Sequence, residues 1–383
     1  MQVQEVLLQA PSPSTAKVHW WQMEIGREER EGLLSAFDRK CFTLGEVTEA
    51  FEVKLASLLK VPYVVLTPSG TAAITMALMA AGVVAGDEVI VPDIGWIATA
   101  QAALILGARV VLVDCLPDTP VADSHRVIQK ITRRTKAVIL VHYNGRACGM
   151  SDVLKAARRR GVFVIEDCCK ALLSTDSRGV YLGTIGELGC FSLGAVSLIS
   201  IGYGGFVVTR DKALYRKLSL IRNHGAPRFG KEDYEETYLS MGFNFRVSDL
   251  LASIGTAQLP KLNERLRHVR QVYERYVRGC ESLKEIRIVP VDVGSGQVPI
   301  LVDARSRRRK EMATFFKQEG IELLEFHKPF HTAPYLKGQG YFPNASKLSS
   351  ECFNLPCGPA QPLGNVERCV ELLRRWDSIE RTL

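Results

Sequence analysis

Between residues 60 and 210, short apolar segments alternate with stretches of helical periodicity, and this alternation constrains the fold more than any other feature of the chain. The apolar segments are YVVLT, EVIVP, RVVLVD, AVILVHY and VFVIED, and the stretches between them include TAAITMALMAAG and DVLKAARRRG. Near-continuous apolar strands separated by helices are typical of a mainly parallel sheet with helices on both faces. We therefore predict an α/β fold whose ligands bind beyond the carboxyl ends of the strands.

Beyond residue 250 the pattern changes and indicates a second, smaller α/β domain. The segment LPKLNERLRHVRQVYERYVRGCESL has apolar residues at helical spacing, and it is followed by the predicted strands IRIVPV and QVPILVD. Helices are predicted near 308–319 and 363–376. We predict an N-terminal extension over 1–25, a large domain over 26–255 and a small C-terminal domain over 256–383.

Composition is that of an ordinary soluble globular protein. No window holds the roughly 18 uninterrupted apolar residues of a membrane helix, and the N-terminus lacks the features of a signal peptide, so we expect a cytoplasmic protein that binds no membrane. The ten cysteines form no CxxC pair and no set with zinc spacing, so no metal site is predicted. The net charge of +8 includes two arginine triplets in segments of helical periodicity, where they usually form a solvated face, and neither has the interleaved aromatic residues of a nucleic-acid stacking surface. An anionic small substrate would explain the basic balance equally well.

Polar residues that follow the predicted strands are candidates for ligand binding. In TPSGTAAI, Ser, Gly and Thr stand at a helix start, where free amides favour a phosphate, although the same residues also cap ordinary helices. Ser192 would add a hydroxyl to that anion or bond its own backbone. Asp167 ends an apolar strand and needs a partner, either a protonated heterocyclic nitrogen or an arginine. Trp96 would lie against an aromatic ligand or pack in the core.

These residues, with further blocks along nearly the whole chain, resemble the DegT/DnrJ/EryC1/StrS family of sugar aminotransferases and related enzymes. The resemblance implies the fold-type I architecture of pyridoxal phosphate enzymes, a dimer, and pyridoxal or pyridoxamine 5′-phosphate as cofactor. It is carried by FTLGEVTEAFEVKLASLL, PSGTAAI, DEVIVPDIGWIATAQAALILGARVVLVD, IEDCCKA, GELGCFSL, GYGGFVVT, IRNHG, GFNFRVSDLLASIGTAQL and FHKPFHTAPYL.

The resemblance also implies a role for each matching position. Four residues would bind the cofactor phosphate: Gly70, Thr71, Ala72 and Ser192. Asn244 would reach the phosphate from the partner subunit, and Trp96 would stack on the pyridine ring. Asp167 would pair with the ring nitrogen and keep it protonated, which lets the ring accept electrons.

Three positions depart from the family pattern. Ser197 stands five residues after Ser192, where active aminotransferases of the family have the lysine that binds the cofactor covalently. Serine cannot form that bond, and an unassisted hydroxyl is too weak a base to move the proton. Lys170 stands where the family usually has His or Gln, so it is either a relocated covalent lysine or a group that neutralises the cofactor's phenolate or an acidic neighbour. Tyr203, where an acidic residue or glycine is common, indicates further change near the substrate.

Several functions follow from this pattern. The leading one is an enzyme of amino-sugar or cyclitol biosynthesis, in specialised metabolism such as antibiotic biosynthesis, that binds the vitamin B6 phosphate noncovalently. The second is a non-catalytic partner subunit that forms a heterodimer with an active paralogue. The third is cofactor-independent chemistry on a sugar or cyclitol, with Lys170, His142 or His331 as acid or base. An aminotransferase that uses a relocated Lys170 is a further alternative.

Overall fold

A large and a small β-sheet organise the structure, a computed structural model that describes residues 17–227 and 238–378. The strands of the large sheet are β1 (Tyr63–Thr67), β2 (Glu88–Pro92), β3 (Arg109–Val113), β4 (Thr135–Val141), β5 (Phe163–Asp167), β6 (Leu188–Ser192) and β7 (Gly205–Thr209). Their spatial order is β1-β7-β6-β5-β4-β2-β3.

The large sheet is mainly parallel, as predicted. β2 pairs in parallel with β3 and β4, and β4–β5 and β5–β6 are also parallel. β7 is the exception, because it runs antiparallel to both of its neighbours, β6 and β1. Both faces are covered: along β1, Val64 and Leu66 pack in one apolar cluster and Val65 in another. This two-sided burial explains the continuous apolar runs in the sequence.

Helices connect these strands and cover the sheet. They are α1 (Arg27–Asp38), α2 (Glu46–Leu59), α3 (Gly70–Ala80), α4 (Ala98–Leu104), α5 (Ser124–Lys130), α6 (Met150–Arg158), α7 (Lys212–Arg222) and α8 (Asp249–Gln258). Side-chain oxygens cap the amino ends of α3, α5, α7 and α8, and the capping residues are Ser69, Asp123, Asp211 and Ser248. Such caps satisfy amides that have no partner within the helix.

The C-terminal part contains the small antiparallel sheet. Its strands are β8 (Arg287–Ile288), β9 (Val302–Arg305), β10 (Leu324–Glu325) and β11 (Cys352–Leu355), in the order β10-β11-β9-β8. Its helices are α9 (Leu262–Cys280), α10 (Arg309–Gln318), α11 (Pro343–Glu351) and α12 (Leu363–Asp377). Among the described residues, no helix has the length and apolarity to cross a membrane.

The strand predicted over QVPILVD lies further along the chain than expected. It begins only at Val302, because the preceding residues contact the large domain instead of pairing in the sheet. The Val298 amide, for example, donates to Ser174 Oγ at 3.0 Å. The IRIVPV strand is likewise short, with two residues paired in β8.

The predicted N-terminal extension is described from residue 17 onward, and its residues 1–16 lie outside the described part. From residue 17 the chain packs against the C-terminal part. The Val18 amide donates to the Gly320 carbonyl at 3.0 Å, and Trp21 forms a bridge with Cys357. Trp21 also donates from Nε1 to the Ala195 carbonyl at 2.9 Å, in the loop that contains Ser197.

Candidate cofactor and active site

The start of α3 lies against the carboxyl end of β6. A Cβ atom on Gly70 would come within 2.8 Å of Cys169 Sγ and 3.1 Å of Ser192 Cβ, so glycine is what allows this close approach. Ser192 Oγ accepts a hydrogen bond from the Gly194 amide at 3.2 Å, and its own hydroxyl hydrogen remains to be donated. Gly70 and Ser192, predicted to bind one phosphate, are therefore neighbours.

The first amides of α3 complete this anion site. Ser69 caps the helix, with its Oγ accepting from the Ala72 amide at 3.1 Å. That bond satisfies Ala72, so this residue supports the turn but offers no free amide. Gly70 and Thr71 precede the first intrahelical amide bond, and their N–H groups and the helix dipole favour a bound anion.

Asp167 lies at the end of β5 with uncharged partners. Its Oδ2 accepts from Thr99 Oγ1 at 2.7 Å, and its Oδ1 accepts from the Cys169 amide at 3.1 Å. The carboxylate is buried. In the described part of the chain its hydrogen-bond donors are thus neutral, and a buried carboxylate with neutral donors suits a cationic ligand group. Thr99 was not singled out from the sequence, because nothing in the run WIATAQ marks one hydroxyl as pointing toward a strand 68 residues away.

The loop between β6 and β7 contains Ser197 and is fixed along its length. Three of its carbonyls accept side-chain hydrogen bonds: Ala195 from Trp21 Nε1 at 2.9 Å, Val196 from Lys170 Nζ, and Leu198 from Arg265 Nη1 at 2.7 Å. Gln258 bonds both backbone groups of Ser200, at 2.6 and 3.0 Å. The position of Ser197 is therefore set by contacts from four separate parts of the chain.

Ser197 itself is 3% exposed, and its Oγ has no hydrogen-bond partner in the part of the chain that the structure describes. Leaving a buried hydroxyl without a partner costs about 1–3 kcal/mol. A ligand atom that bonds this hydroxyl would remove the cost. Ser197 is thus a buried polar group with unused bonding capacity.

Lys170 extends from the turn after β5 to the same loop. Its Nζ donates to the Val196 carbonyl, the peptide group that joins Val196 to Ser197. Burial lowers the pKa of Lys170 to about 8, although the charges of Cys169 and Asp167 oppose this shift. The amine is therefore placed beside position 197, where the family lysine would begin.

His327 and Tyr143 form a hydrogen-bonded pair on another side of the site. Tyr143 Oη lies 2.6 Å from His327 Nδ1, and the His327 ring meets the Trp96 ring edge to face at 5.6 Å between centroids. Burial lowers the pKa of His327 against the opposing charge of Asp303, and the charge of Lys170 lowers it further. His327 was not identified from FHKPFHTAPY, where the second histidine had been chosen. Trp96 is 64% exposed and presents its indole for stacking.

His142 lies in the core and is fully occupied. Its Nε2 is 2.8 Å from Glu166 Oε2, and its Nδ1 accepts from the Cys148 amide at 3.1 Å. The proton is therefore on Nε2, and the ring has no free lone pair for a metal, although Cys168 completes a buried group of three metal-ligand types. Glu166 also accepts from the amides of Gly183, Ile185 and Gly186 at 2.7–2.8 Å. The geometry gives His142 a structural position rather than a place in the site.

His331 forms a pair with Asp93. His331 Nδ1 lies 2.5 Å from Asp93 Oδ2, and its backbone amide donates to Asp93 Oδ1 at 2.8 Å. Burial raises the pKa of Asp93 to about 6, against the hydrogen bonds and charge of His331. The ring stacks on Phe342 at 5.2 Å. The structure thus anchors His331 to the loop after β2.

The two remaining predicted residues lie at the surface. Tyr203 is 81% exposed, in the turn before β7. Asn244 is exposed as well, and its Oδ1 accepts from Arg246 Nε at 2.9 Å while its backbone bridges to Asn223. An exposed position is what a residue needs if it is to reach a partner subunit.

Comparison with known proteins decides the family. The model of the DegT/DnrJ/EryC1/StrS aminotransferase family matches residues 23–374. The chain belongs to this family. Membership carries the fold-type I architecture, and it places the chain among aminotransferase-family enzymes whose cofactor is pyridoxal or pyridoxamine phosphate.

Relatives from this family include enzymes named for sugar chemistry. The GDP-perosamine synthase of Escherichia coli O157:H7 is 32% identical over 89% of this chain and 93% of its own length. The UDP-N-acetyl-3-dehydro-alpha-D-glucosamine 3-aminotransferase of Acidithiobacillus ferrooxidans is 31% identical over 90% of this chain and 92% of its own. Among solved structures, the aminotransferase TlmJ from Streptoalloteichus hindustanus superposes with a TM-score of 0.88 at 27% identity, covering 94% of this chain and 98% of that one.

Proposed function

We propose that this protein is an enzyme of amino-sugar biosynthesis that binds pyridoxal or pyridoxamine phosphate without a covalent link and acts on a nucleotide-linked sugar. Ser197 carries the proposal. Its buried hydroxyl, which has no hydrogen-bond partner among the described residues, stands where the resemblance implies a covalent lysine, in a loop that is held on both sides of it. The sugar class is taken from the relatives, whose names refer to GDP-linked and UDP-linked sugars.

The residues present fit the cofactor. Gly70, Thr71 and Ser192 form an anion site of the kind that binds phosphate. The Asp167 carboxylate, held by Thr99, suits a protonated ring nitrogen, and the exposed face of Trp96 suits a stacked aromatic ring. When bound, the cofactor would supply the electron sink and the amino group.

Within this proposal, Ser197 binds rather than attacks. Its hydroxyl can accept a hydrogen bond from an amine and donate one to an oxygen, so it suits the amine form of the cofactor. A hydroxyl cannot retain that group covalently, so the cofactor would exchange with solvent. We also propose a dimer, with Asn244 of each subunit extended toward its partner's phosphate site.

The Ser197→Lys variant tests the proposal. If the pocket is otherwise intact, the new lysine binds pyridoxal phosphate covalently, and mass spectrometry after borohydride reduction finds the adduct at position 197. Ser197→Met, of similar length but without an amine, is the matched control and should form no adduct. A Ser197→Lys protein that folds like the wild type and forms no adduct would show that the site has been remodelled and no longer resembles that of the family's aminotransferases.

A heteromeric role would be shown differently. If the protein is a non-catalytic partner, its isolated homodimer binds cofactor but transfers no amino group. Mixing it with an active family member would then raise that enzyme's activity, and Asn244→Ala in this chain would abolish the rise. Turnover by the isolated homodimer contradicts this alternative.

A further inference from the structure

We propose that the Lys170 amine is the proton-transfer group of this site and replaces the lysine absent at position 197. The inference rests on the proposed function, because it assumes that an amino group moves between the cofactor and a sugar. It assigns to Lys170 the proton transfer that the Ser197 hydroxyl is too weak a base to perform.

Lys170 is positioned from two directions. Its Nζ donates to the Val196 carbonyl, which places the amine next to Ser197. On another side, its charge acts on His327, whose ring packs against Trp96. The amine thus lies beside the peptide group of Ser197, and its charge acts on the histidine that packs against the proposed stacking indole.

The surroundings of Lys170 suit a base at neutral pH. The groups that influence its charge are Asp167 and Cys169 on its own turn and His327 on the facing segment. Burial outweighs them and lowers the pKa of Lys170 to about 8. About a quarter of such an amine is neutral near pH 7.5, against about one part in a thousand for a solvated lysine.

The two histidines predicted as acids or bases are placed differently from Lys170. The His142 ring is bonded at both nitrogens within the core, to Glu166 and the Cys148 amide. His331 is held through Nδ1 and its backbone amide by Asp93. The pairing with Asp93 leaves His331 Nε2 able to accept a proton, but His331 pairs with Asp93 and stacks on Phe342, whereas Lys170 Nζ bonds the carbonyl next to Ser197.

The step is balanced without another reactant. Transfer of the amino group from pyridoxamine phosphate to a keto-sugar would release the sugar's carbonyl oxygen as water on condensation and take up one water on the final hydrolysis, so that the C–N bond to the cofactor is exchanged for a C–N bond to the sugar. Between these two events a proton would leave the cofactor carbon and a proton would be added at the sugar carbon. Neutral Lys170 accepts the proton at the first carbon and returns it to the second. The lysine ends as it began, the sugar is reduced to its amine, and the cofactor is left as the aldehyde.

The test compares wild type, Lys170→Arg and Lys170→Ala loaded with pyridoxamine phosphate and offered GDP-linked and UDP-linked keto-hexoses. We expect the transfer rate to fall at least about a hundredfold in both variants. Added methylamine should restore part of it in Lys170→Ala but not in Lys170→Arg, whose side chain fills the space. Lys155→Ala, an exposed position on α6, is the control and should keep the wild-type rate.

Two further measurements need no turnover. Affinity for pyridoxamine phosphate should stay within about threefold in Lys170→Arg, and acylation of Lys170 in the cofactor-free protein, followed by mass spectrometry, should be half-maximal near pH 8. A wild type that binds no cofactor contradicts the proposed function. Four other results contradict this inference while leaving noncovalent binding intact. Two concern the variants: Lys170→Arg keeps the wild-type rate, or methylamine does not rescue Lys170→Ala. Two concern the wild type: Lys170 titrates like a solvated lysine, or the loaded protein aminates no keto-hexose.

Discussion

At position 197 the change from lysine to serine alters more than the nucleophile. A lysine would bring a flexible cation to this position, whereas Ser197 brings a buried hydroxyl that has no hydrogen-bond partner among the described residues. Lys170 brings a cation back to the same loop from the turn after β5. Under the proposed function, Lys170 would supply a cation near position 197 without supplying the covalent attachment point.

The lowered pKa of Lys170 predicts that the stability of the protein depends on pH. The pKa of Lys170 is about 8 in the folded protein and 10.5 for an ordinary lysine. Between pH 8 and pH 10.5 the folded protein therefore binds fewer protons than the unfolded protein, so the lysine destabilises the fold below pH 8 and this effect disappears as the pH rises to 10.5. We expect Lys170→Met to be more stable than wild type at pH 7 and this difference in unfolding free energy to shrink by about 2 kcal/mol at pH 10.5. The change is smaller than the free energy that corresponds to the whole pKa shift, because the amine is partly accessible.

Urea denaturation of both proteins at the two pH values measures this difference. Lys155→Met, at an exposed position, is the control and should show no such change. A Lys170→Met difference that is the same at both pH values would mean that the lysine keeps an ordinary pKa in the folded protein.

At the scale of elements, β7 links the core to the proposed cofactor site. It runs between β1 and β6, and a Cβ atom on its first residue, Gly205, would lie 2.6 Å from the carbonyl oxygens of both Ser69 and Phe191. Ser69 caps α3, so β7 packs directly against the turn that begins the anion site. These backbone atoms cannot move aside to make room for a Cβ atom, as the end of a flexible side chain could.

Gly205→Ala should therefore destabilise the protein by about 3 kcal/mol and weaken phosphate binding together with it. Gly364→Ala, in α12 with open space around it, is the matched control, and alanine should leave stability equal or slightly higher there. Denaturation and phosphate-competition assays measure both effects. A Gly205→Ala protein of wild-type stability would contradict the packing described.

Much of this arrangement could be predicted from the sequence, and the rest depends on long-range contacts. The strands and helices between 60 and 210 follow from apolar runs, and Ser192, Asp167 and Ser197 could be assigned to strand ends and a loop. The position of β7 between β1 and β6, and the contact of Lys170 with the Val196 carbonyl, could not, because strand order and side-chain reach are not local properties. The His142–Glu166 pair was missed because it depends on the register of β4 and β5.

At the scale of the whole molecule, Asp303 joins the two sheets. Its carboxylate, buried in β9, accepts from Arg146 Nη1 at 2.5 Å and from Asn144 Nδ2 at 2.7 Å, both on the segment after β4. Asn354 of β11 also donates to it at 2.5 Å. Arg146 in turn donates to the carbonyls of Val289 and Pro290, which follow β8. A buried ion pair and its hydrogen bonds thus connect the small sheet to the segment that follows β4 of the large sheet.

Asp303→Asn should cost about 3 kcal/mol or more, because it leaves the Arg146 charge buried without its partner. Asp118→Asn, which alters an exposed ion pair with Arg305, is the control and should cost under about 1 kcal/mol. The free energy of unfolding from urea titrations compares them. Equal small losses in both variants would show that the two sheets are held together mainly by apolar contacts.

The central claim, that the cofactor is held without a covalent bond, is tested most directly on the wild-type protein with pyridoxal phosphate. Binding would be followed by tryptophan fluorescence, and one sample would then be desalted while another is reduced with borohydride and mapped by mass spectrometry. The account predicts saturable binding, complete loss of cofactor on desalting, and no stoichiometric adduct on any lysine. A stoichiometric reduced adduct on Lys170 would contradict it and show that the covalent lysine has moved within the fold.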